Sequence, residues 1–348
     1  MSEEQKPFEI GGEIIQPGTR KVVRIPTSMF PEFPAFYLTA YVIHGKSPGK
    51  TLFISSTIHG DELNGIAAIK RVLSSKHVKH LKGTLIAVPI VNLVGVLIKS
   101  RYLPDRRDLN RSFPGSETGS QASQLAHLFL NEIVKKCTYG IDLHTGSDNR
   151  TNLPQVRCDF NSKEALDLAL IFGAPIILKS KIRDGSLRAA SEDLKIPTVV
   201  FEGGEALRFD KFAIRIAKNG ILRVMAHLDM IDKTKFEAIK TPSILSPASR
   251  WIRSPNTGIL HTKCNLGHKV IKGAILGKIS DSLGLSHTNI VANVDGIIIG
   301  RTQLPFVFQG DAIFNVAWVP DPEKAEEILL EFQEEIELNV SSDDPTTY

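Results

Sequence analysis

Two short segments of the chain each bring an imidazole close to a carboxylate. In Ser55-Ser-Thr-Ile-His-Gly-Asp-Glu, His59 and Glu62 stand three residues apart, just beyond a β-type run and where the chain turns into a helix. Around one turn, this spacing lets a ring nitrogen and a carboxylate oxygen converge on one metal ion. The same pair is also what a plain helix N-terminus would show, because the helix dipole favours acidic residues there. In Tyr139-Gly-Ile-Asp-Leu-His-Thr-Gly, His144 ends an apolar strand, with Asp142 on the same strand face two residues earlier. A buried histidine bonded to a backbone group is the ordinary explanation of such a residue. Two ligands close in sequence plus a distant third, however, describe a catalytic zinc site whose fourth position is left to water. His59, Glu62 and His144 are therefore expected to hold one zinc ion per chain.

Two further segments could handle a substrate. Arg101-Tyr-Leu-Pro-Asp-Arg-Arg-Asp-Leu-Asn-Arg-Ser-Phe-Pro-Gly carries four arginines within eleven residues. Arg106 and Arg107 read as a solvated loop. Asn110 and Arg111, side by side between turn signals, can clamp a carboxylate: the guanidinium through two parallel hydrogen bonds, the amide through one more donor. In Lys195-Ile-Pro-Thr-Val-Val-Phe-Glu-Gly-Gly-Glu, Glu202 ends a β-branched run at Gly-Gly. An acid there is either paired structurally or stands in an active-site mouth. Beside a metal-activated water, whose pKa falls to about 7, it could take the proton and later deliver it to a leaving amine. Glu205 is the neighbouring acid, and the strand end favours Glu202 over it.

The elements that must position these groups alternate in type. Thr51–Thr57, Thr84–Val91, Gly140–His144, Ile176–Leu178 and Thr198–Glu202 read as strands. Helical spacing joins Leu63, Ile66, Ala67, Ile69, Val72 and Leu73, then Leu125, Leu128, Phe129 and Ile133, and a long helix is expected over Phe212–Ile231. Such alternation predicts an α/β fold, a mixed sheet flanked by helices over residues 1–241, with ligands at strand C-termini. Past the linker-like Thr241-Pro-Ser-Ile-Leu-Ser-Pro, Trp251–Trp318 holds short β runs broken by glycines, which predicts an all-β module over 242–320. Asp321–Asp344 has ten acidic residues against one lysine, with Ile328, Leu329, Phe332 and Ile336 at helical spacing. It is expected to form an acidic helix docking one stripe, and Ser341–Tyr348 a frayed tail, within a third segment 321–348.

Composition narrows the partners. A net charge of +4 over 348 residues, with the basic residues scattered, gives no reason to expect nucleic acid and is compatible with a small anionic substrate. The longest near-apolar stretch, Thr84–Ile98, is interrupted by Pro and Asn and falls short of the roughly 20 residues that span a bilayer. Three widely spaced cysteines without a CxxC argue against a disulfide framework or a cysteine zinc site. A soluble, reduced, cytoplasmic protein is expected, with no membrane partner and with a homo-oligomer left open.

Taken in order, HGDE, DLNRSFPG, DLHTG and FEGGEALRFD, between about Phe53 and Asp210, resemble the succinylglutamate desuccinylase/aspartoacylase family, a branch of the zinc carboxypeptidase-like superfamily. The motif order is specific to the superfamily, and DLNR with FEGG points to the deacylase branch. The resemblance implies zinc on His59, Glu62 and His144, Glu202 as general acid and base, and Asn110 with Arg111 on a substrate carboxylate. It makes Asp108 the carboxylate that orients the first zinc histidine. It assigns Arg101 to the developing oxyanion. Two residues more than the family spacing separate Arg101 from Asp108, which leaves Arg106 as the alternative. Gly267–Ile279, with Val294-Asp-Gly and Gln309-Gly-Asp-Ala-Ile, is similar to barrel-sandwich modules of the biotinyl/lipoyl type. The turn Asn293-Val-Asp-Gly lacks their modified lysine, so the shape is expected without the prosthetic group.

The reaction implied is hydrolysis of the amide of a small N-acyl amino acid or similar anion, with ester cleavage open to the same machinery. One alternative is a carboxypeptidase acting on peptides or peptidoglycan-like chains, which a C-terminal region shielding the cleft would disfavour. Another is a non-catalytic zinc-binding protein, which the presence of Glu202 disfavours.

Overall fold

The apolar runs and stripes assemble into one large mixed sheet between two layers of helices. The computed structural model describes residues 4–27, 36–147, 149–235 and 240–338; the tail expected at Ser341–Tyr348 lies outside them. The chain begins with a hairpin, β1 (Phe8–Ile10) and β2 (Glu13–Ile15), followed by β3 (Arg20–Pro26), β4 (Tyr37–His44) and β5 (Ser47–Ser56). Helix α1 (Asn64–Ser74), β6 (Lys82–Val88), α2 (Leu93–Leu97) and α3 (Gln121–Glu132) follow. Next come β7 (Tyr139–Gly146), β8 (Arg150–Cys158), α4 (Lys163–Phe172), β9 (Ile176–Lys179), α5 (Leu187–Asp193), β10 (Thr198–Glu205) and α6 (Lys211–His227). Every strand and helix expected up to residue 231 is present, the long helix ending a turn early at His227.

Local chemistry starts the helices. Ser120, Ser162, Ser186 and Asp210 each accept a backbone N–H of the first turn of α3, α4, α5 and α6. One sheet face packs on α1, α4 and α6 through Ile54, Val72, Phe172, Phe201 and Met225. The other packs on α3 through Phe53, Ile86, Phe129 and Ile133. Because both faces are covered, the central strands read as continuous apolar runs rather than alternating ones.

Strands β6, β5, β7 and β10 are parallel neighbours, in register at Ser55 with Asp142 and at His144 with Glu202. Their C-terminal ends therefore open on one edge, where a ligand cleft is expected. Antiparallel β8 closes the far side of β10.

The C-terminal region contributes to two sheets. Its strands are β11 (Ile244–Ser246), β12 (Ser249–Arg253), β13 (Gly258–Thr262), β14 (Lys269–Val270), β15 (Ile275–Ser280), β16 (His287–Val291), β17 (Gly296–Thr302), β18 (Phe306–Val307) and β19 (Ala312–Ala317). The order β16-β15-β13-β18 forms a separate four-stranded sheet over a core of Leu276, Ile279, Ile290 and Phe314. Strands β17, β19 and β12 instead extend the large sheet, because β17 pairs with β8. Helix α7 (Pro322–Leu338) then buries Leu329, Phe332 and Ile336, the stripe expected of the acidic segment, while Ile328 is half-buried. No helix of the described residues is long and apolar enough to cross a membrane.

Candidate active site

Strand β5 delivers the first ligand pair through a strained turn. Thr57, β-branched yet at φ +52°, swings the chain out of the sheet. Its carbonyl accepts the Asn92 N–H at 3.0 Å and its hydroxyl the Val91 N–H at 3.2 Å, contacts that hold a conformation costing about 1–3 kcal/mol. Gly60 then passes so close to Gly95 that a Cβ there would lie 2.0 Å from the Gly95 carbonyl carbon. That close approach brings the His59 turn against α2, which leads into the Arg101 loop.

The three expected ligands meet. Their ligand atoms lie within 4.8 Å of one another, and all three residues are buried. His59 Nδ1 is 2.9 Å from Glu62 Oε1, His144 Nδ1 is 2.7 Å from Glu62 Oε2, and the two Nδ1 atoms are 3.2 Å apart. Each ring gives its other nitrogen to an aspartate: His59 Nε2 to Asp108 Oδ1 at 3.1 Å, and His144 Nε2 to Asp142 Oδ2 at 2.7 Å. With both Nε2–H groups donated outward, two Nδ1 lone pairs and a carboxylate point at one spot. That donor set fits a divalent cation. Asp142 is fixed in turn by the Ser55 hydroxyl at 2.8 Å.

Without a cation, the same carboxylates favour protonated rings, whose Nδ1 protons a metal ion would displace. Burial alone would lower both imidazoles. Glu62 and Asp108 outweigh it for His59, and Asp142 and Glu62 do so for His144, so both are held above their ordinary pKa. Against its own burial penalty, the two rings hold Glu62 far below the usual carboxylate range. Asp61 behaves oppositely: burial, then the charge of Glu62, pushes it up to about 6.

Around this centre lies a cavity of about 270 Å³. Arg101 lines it and bridges Glu62 Oε1 at 3.2 Å and Asp108 Oδ2 at 2.9 Å, whereas Arg106 is exposed and is not among the residues lining it. The chain between Arg101 and Asp108 makes a turn in which Arg106 takes φ +62°. Asn110 and Arg111 line the cavity from the next turn, where the Asn110 Oδ1 accepts the Leu187 N–H at 2.9 Å. Glu202 faces the same space from within β10, which does not end there as expected but runs past a bulge at Gly203-Gly204 to Glu205, a residue that does not line the cavity.

Several cavity residues escaped the sequence reading. Asn152 donates to Glu202 Oε2 at 2.7 Å, and the Arg157 Nε lies 3.4 Å from Glu202 Oε1. Both come from β8. Its register against β10 moves from Glu202 opposite Gln155 to Gly204 opposite Asn152, one residue more on β8 than on β10. This bulge falls at Leu153-Pro154, where proline lacks a ladder N–H, and it turns Asn152 to the Glu202 side. A Cβ on Gly300 of β17 would sit 2.9 Å from Asn152 Oδ1, so the C-terminal strand reaches the site only as glycine. Trp251 of β12 also lines the cavity, with the Arg150 guanidinium 5.3 Å from its ring centre. Arg183 and Arg188 enter from the segment between β9 and β10.

Comparisons with known proteins agree with this architecture. A solved succinylglutamate desuccinylase/aspartoacylase from Rhodobacter sphaeroides superposes with a TM-score of 0.78 at 23% identity, covering 86% of this chain and 95% of that one. The product-bound ectoine utilization protein EutE (DoeB) of Ruegeria pomeroyi also gives 0.78, at 22% identity over 86% of this chain and 95% of its own. By sequence, the N-alpha-acetyl-L-2,4-diaminobutyric acid deacetylase of Halomonas elongata is 26% identical over 288 residues, 79% of this chain and 84% of the relative. The profile of the succinylglutamate desuccinylase/aspartoacylase catalytic domain matches residues 48–228, more than half of the chain and the whole of the cavity's parallel-strand edge. The chain therefore belongs to the succinylglutamate desuccinylase/aspartoacylase family of N-acyl amino acid deacylases.

Proposed function

We propose that this protein is a zinc-dependent hydrolase that cleaves the amide bond of a small N-acyl amino acid or similar anionic N-acyl compound. The observation that carries this reading is the convergence of His59, Glu62 and His144 in one cavity with Glu202 and Arg101. Two histidines and a carboxylate with an open side are the donor set of catalytic zinc, which when bound polarises a carbonyl and lowers the pKa of a water to about 7.

The chain's own residues do the rest. Glu202, oriented by Asn152 and Arg157, accepts a proton from water as the water oxygen adds to the carbonyl carbon. It then returns that proton to the departing nitrogen as the C–N bond breaks, giving a carboxylate and an amine. Arg101, locked by Glu62 and Asp108, donates to the oxyanion. Loss of one such donor costs about 3–4 kcal/mol of barrier. Asn110, its Oδ1 engaged by Leu187, keeps its amide N–H groups for a carboxylate that Arg111 binds alongside. A cavity of about 270 Å³ lies just below the usual range of ligand pockets, roughly 300–1,000 Å³, which suits a small N-acyl amino acid rather than a polymer.

Metal content by mass spectrometry on the purified protein, beside His144→Ala, tests the reading, followed by amine release from a panel of N-acyl amino acids. About one zinc per chain in the wild type, lost in the variant together with amine release, is expected. A wild type that holds no metal and takes up none on dialysis against zinc would end it.

A further inference from the structure

Two parts of the cavity come from distant stretches of chain and must keep a fixed separation. One is the turn carrying His59 and Glu62, which runs into α1. The other is β10, which carries Glu202. Sheet pairing alone does not hold β10 just beyond Glu202. Gly203 has no partner in the register with β7 or in that with β8, and Gly204 takes φ +79°. Glu202 is thus the last residue before both ladders break.

Asn64 ties down the broken stretch. It is buried, is the first residue of α1 and stands two positions after Glu62. An asparagine at a helix start ordinarily binds its own first turn. The Asn64 amide reaches the far segment instead: Nδ2 donates to the Gly203 carbonyl at 3.0 Å, and Oδ1 accepts the Asp210 N–H at 2.9 Å. Asp210 in turn caps α6 through the Ala213 N–H at 2.9 Å. Between these bonds, the Leu207 N–H donates to the Asp61 carbonyl at 2.7 Å, so residues 61–64 hold both ends and the middle of residues 203–210. Gly204 packs so closely on the amide that a Cβ there would collide with Asn64 Nδ2, a fit open only to glycine.

The two halves of the site depend on Asn64 unequally. The Glu62 carboxylate is held by His59, His144, Arg101 and the Thr145 N–H at 3.2 Å, none of which involves Asn64. Glu202 is held at its side chain by Asn152 and Arg157 of β8, and its backbone is anchored through the next residue, whose carbonyl Asn64 binds. Asn64 is not among the residues lining the cavity, so it reaches the chemistry only through that backbone.

We propose that Asn64 is a positioning residue: by binding Gly203 and Asp210 it sets where Glu202 stands relative to His59, Glu62 and His144, and its loss slows proton transfer without weakening metal or substrate binding. The kinetic effect rests on Glu202 being the proton acceptor, whereas the placement of Glu202 does not. A misplacement of about 1 Å at a reacting group can lower a rate about 100-fold.

The zinc-loaded protein is assayed with whichever N-acetyl-L-amino acid the wild type hydrolyses, and circular dichroism confirms that each variant is folded. Asn64→Ala should lower kcat roughly 30- to 100-fold, with KM within about three-fold and zinc affinity within about two-fold of wild type. Asn64→Asp keeps the volume and an acceptor for the Asp210 N–H, but at pH 8 sets an oxygen against the Gly203 carbonyl, so its kcat should fall as far. In a Glu202→Gln background, Asn64→Ala should cost less than about two-fold more, because a residue acting through Glu202 has nothing left to act on. A crystal structure of Asn64→Ala should show Glu202 displaced from Asn152, a readout that needs no turnover. An unchanged kcat, a loss confined to KM or to zinc binding, equal losses in both backgrounds, or an unmoved Glu202 would overturn the assignment. A displaced Glu202 in a protein whose wild type hydrolyses no N-acyl amino acid would keep the placement and sink the deacylase reading.

Discussion

Asp142→Asn isolates the contribution of one buried carboxylate to the proposed metal centre. Asp142 is 1% exposed and accepts two hydrogen bonds, from Ser55 Oγ at 2.8 Å and from His144 Nε2 at 2.7 Å. Asparagine keeps the shape but replaces one acceptor oxygen by a donor. The Ser55 hydroxyl can turn and accept from the new N–H, which leaves the amide oxygen on His144. The tautomer that points the Nδ1 lone pair at the metal is then preserved, and what is lost is the charge. A hydrogen bond to a charged group contributes about 1.5–3 kcal/mol and a neutral one about 0.5–1.5 kcal/mol. The difference between the midpoints, about 1.25 kcal/mol, is roughly an eight-fold loss of zinc affinity. Asp142→Ala removes the acceptor altogether and frees the ring to present either nitrogen, so its loss should approach about 100-fold, the upper end for partners behind a metal ligand. Competition against a chelator of known zinc affinity, at fixed pH, reads both numbers, with circular dichroism to confirm folding. If both variants bind zinc within about two-fold of wild type, the ring's outer hydrogen bond does not set its ligating nitrogen and the argument fails.

Three further outcomes follow from the geometry. Gly60→Ala places a Cβ 2.0 Å from the backbone of Gly95, which only a shift of two loops can relieve. A loss of about 3 kcal/mol in urea unfolding is expected, together with weakened zinc uptake, and a near-neutral variant would show that the loops do not meet. Burial pushes the Cys158 thiol up to about 11 and raises Cys137 further, while half-buried Cys264 is raised less and sits beside Lys263. Alkylation followed by peptide mass spectrometry should therefore find Cys264 modified first in the native protein, and equal labelling of Cys137 or Cys158 would contradict the buried placement. Glu335 of α7 binds the backbone N–H groups of Lys240 and Thr241, which outweigh a burial penalty and lower its pKa. The folded state thus holds this proton less tightly than the unfolded chain, so the contribution is present above the unfolded carboxylate pKa and lost as pH falls through the folded one. The stability gap between wild type and Glu335→Gln should shrink between roughly pH 5 and pH 3, and a gap constant with pH would refute the assignment.

The convergence of His59, Glu62 and His144 was legible in the sequence because these residues lie at or just beyond the C-terminal ends of parallel strands. His59 and Glu62 share one turn, and β5, β7 and β10 are continuous apolar runs that place His144 and Glu202 directly opposite each other. The cavity wall beyond Asn110, Arg111 and Glu202 was not legible, for reasons that are physical. Strand β8 contains a proline and a bulge, so its side chains break the two-residue alternation that marks a strand, and Asn152 and Arg157 share the Glu202 side five residues apart. Residue counting left Arg106 open beside Arg101, and the fold separates them by turning the Arg101 guanidinium onto Glu62 and Asp108 while Arg106 stays exposed. The glycines after residue 242 predicted short strands but not that β17 would add to the edge of β8 and bring Trp251 to the cavity wall. Chemistry concentrated at strand ends is thus readable from local spacing, while specificity depends on long-range pairing.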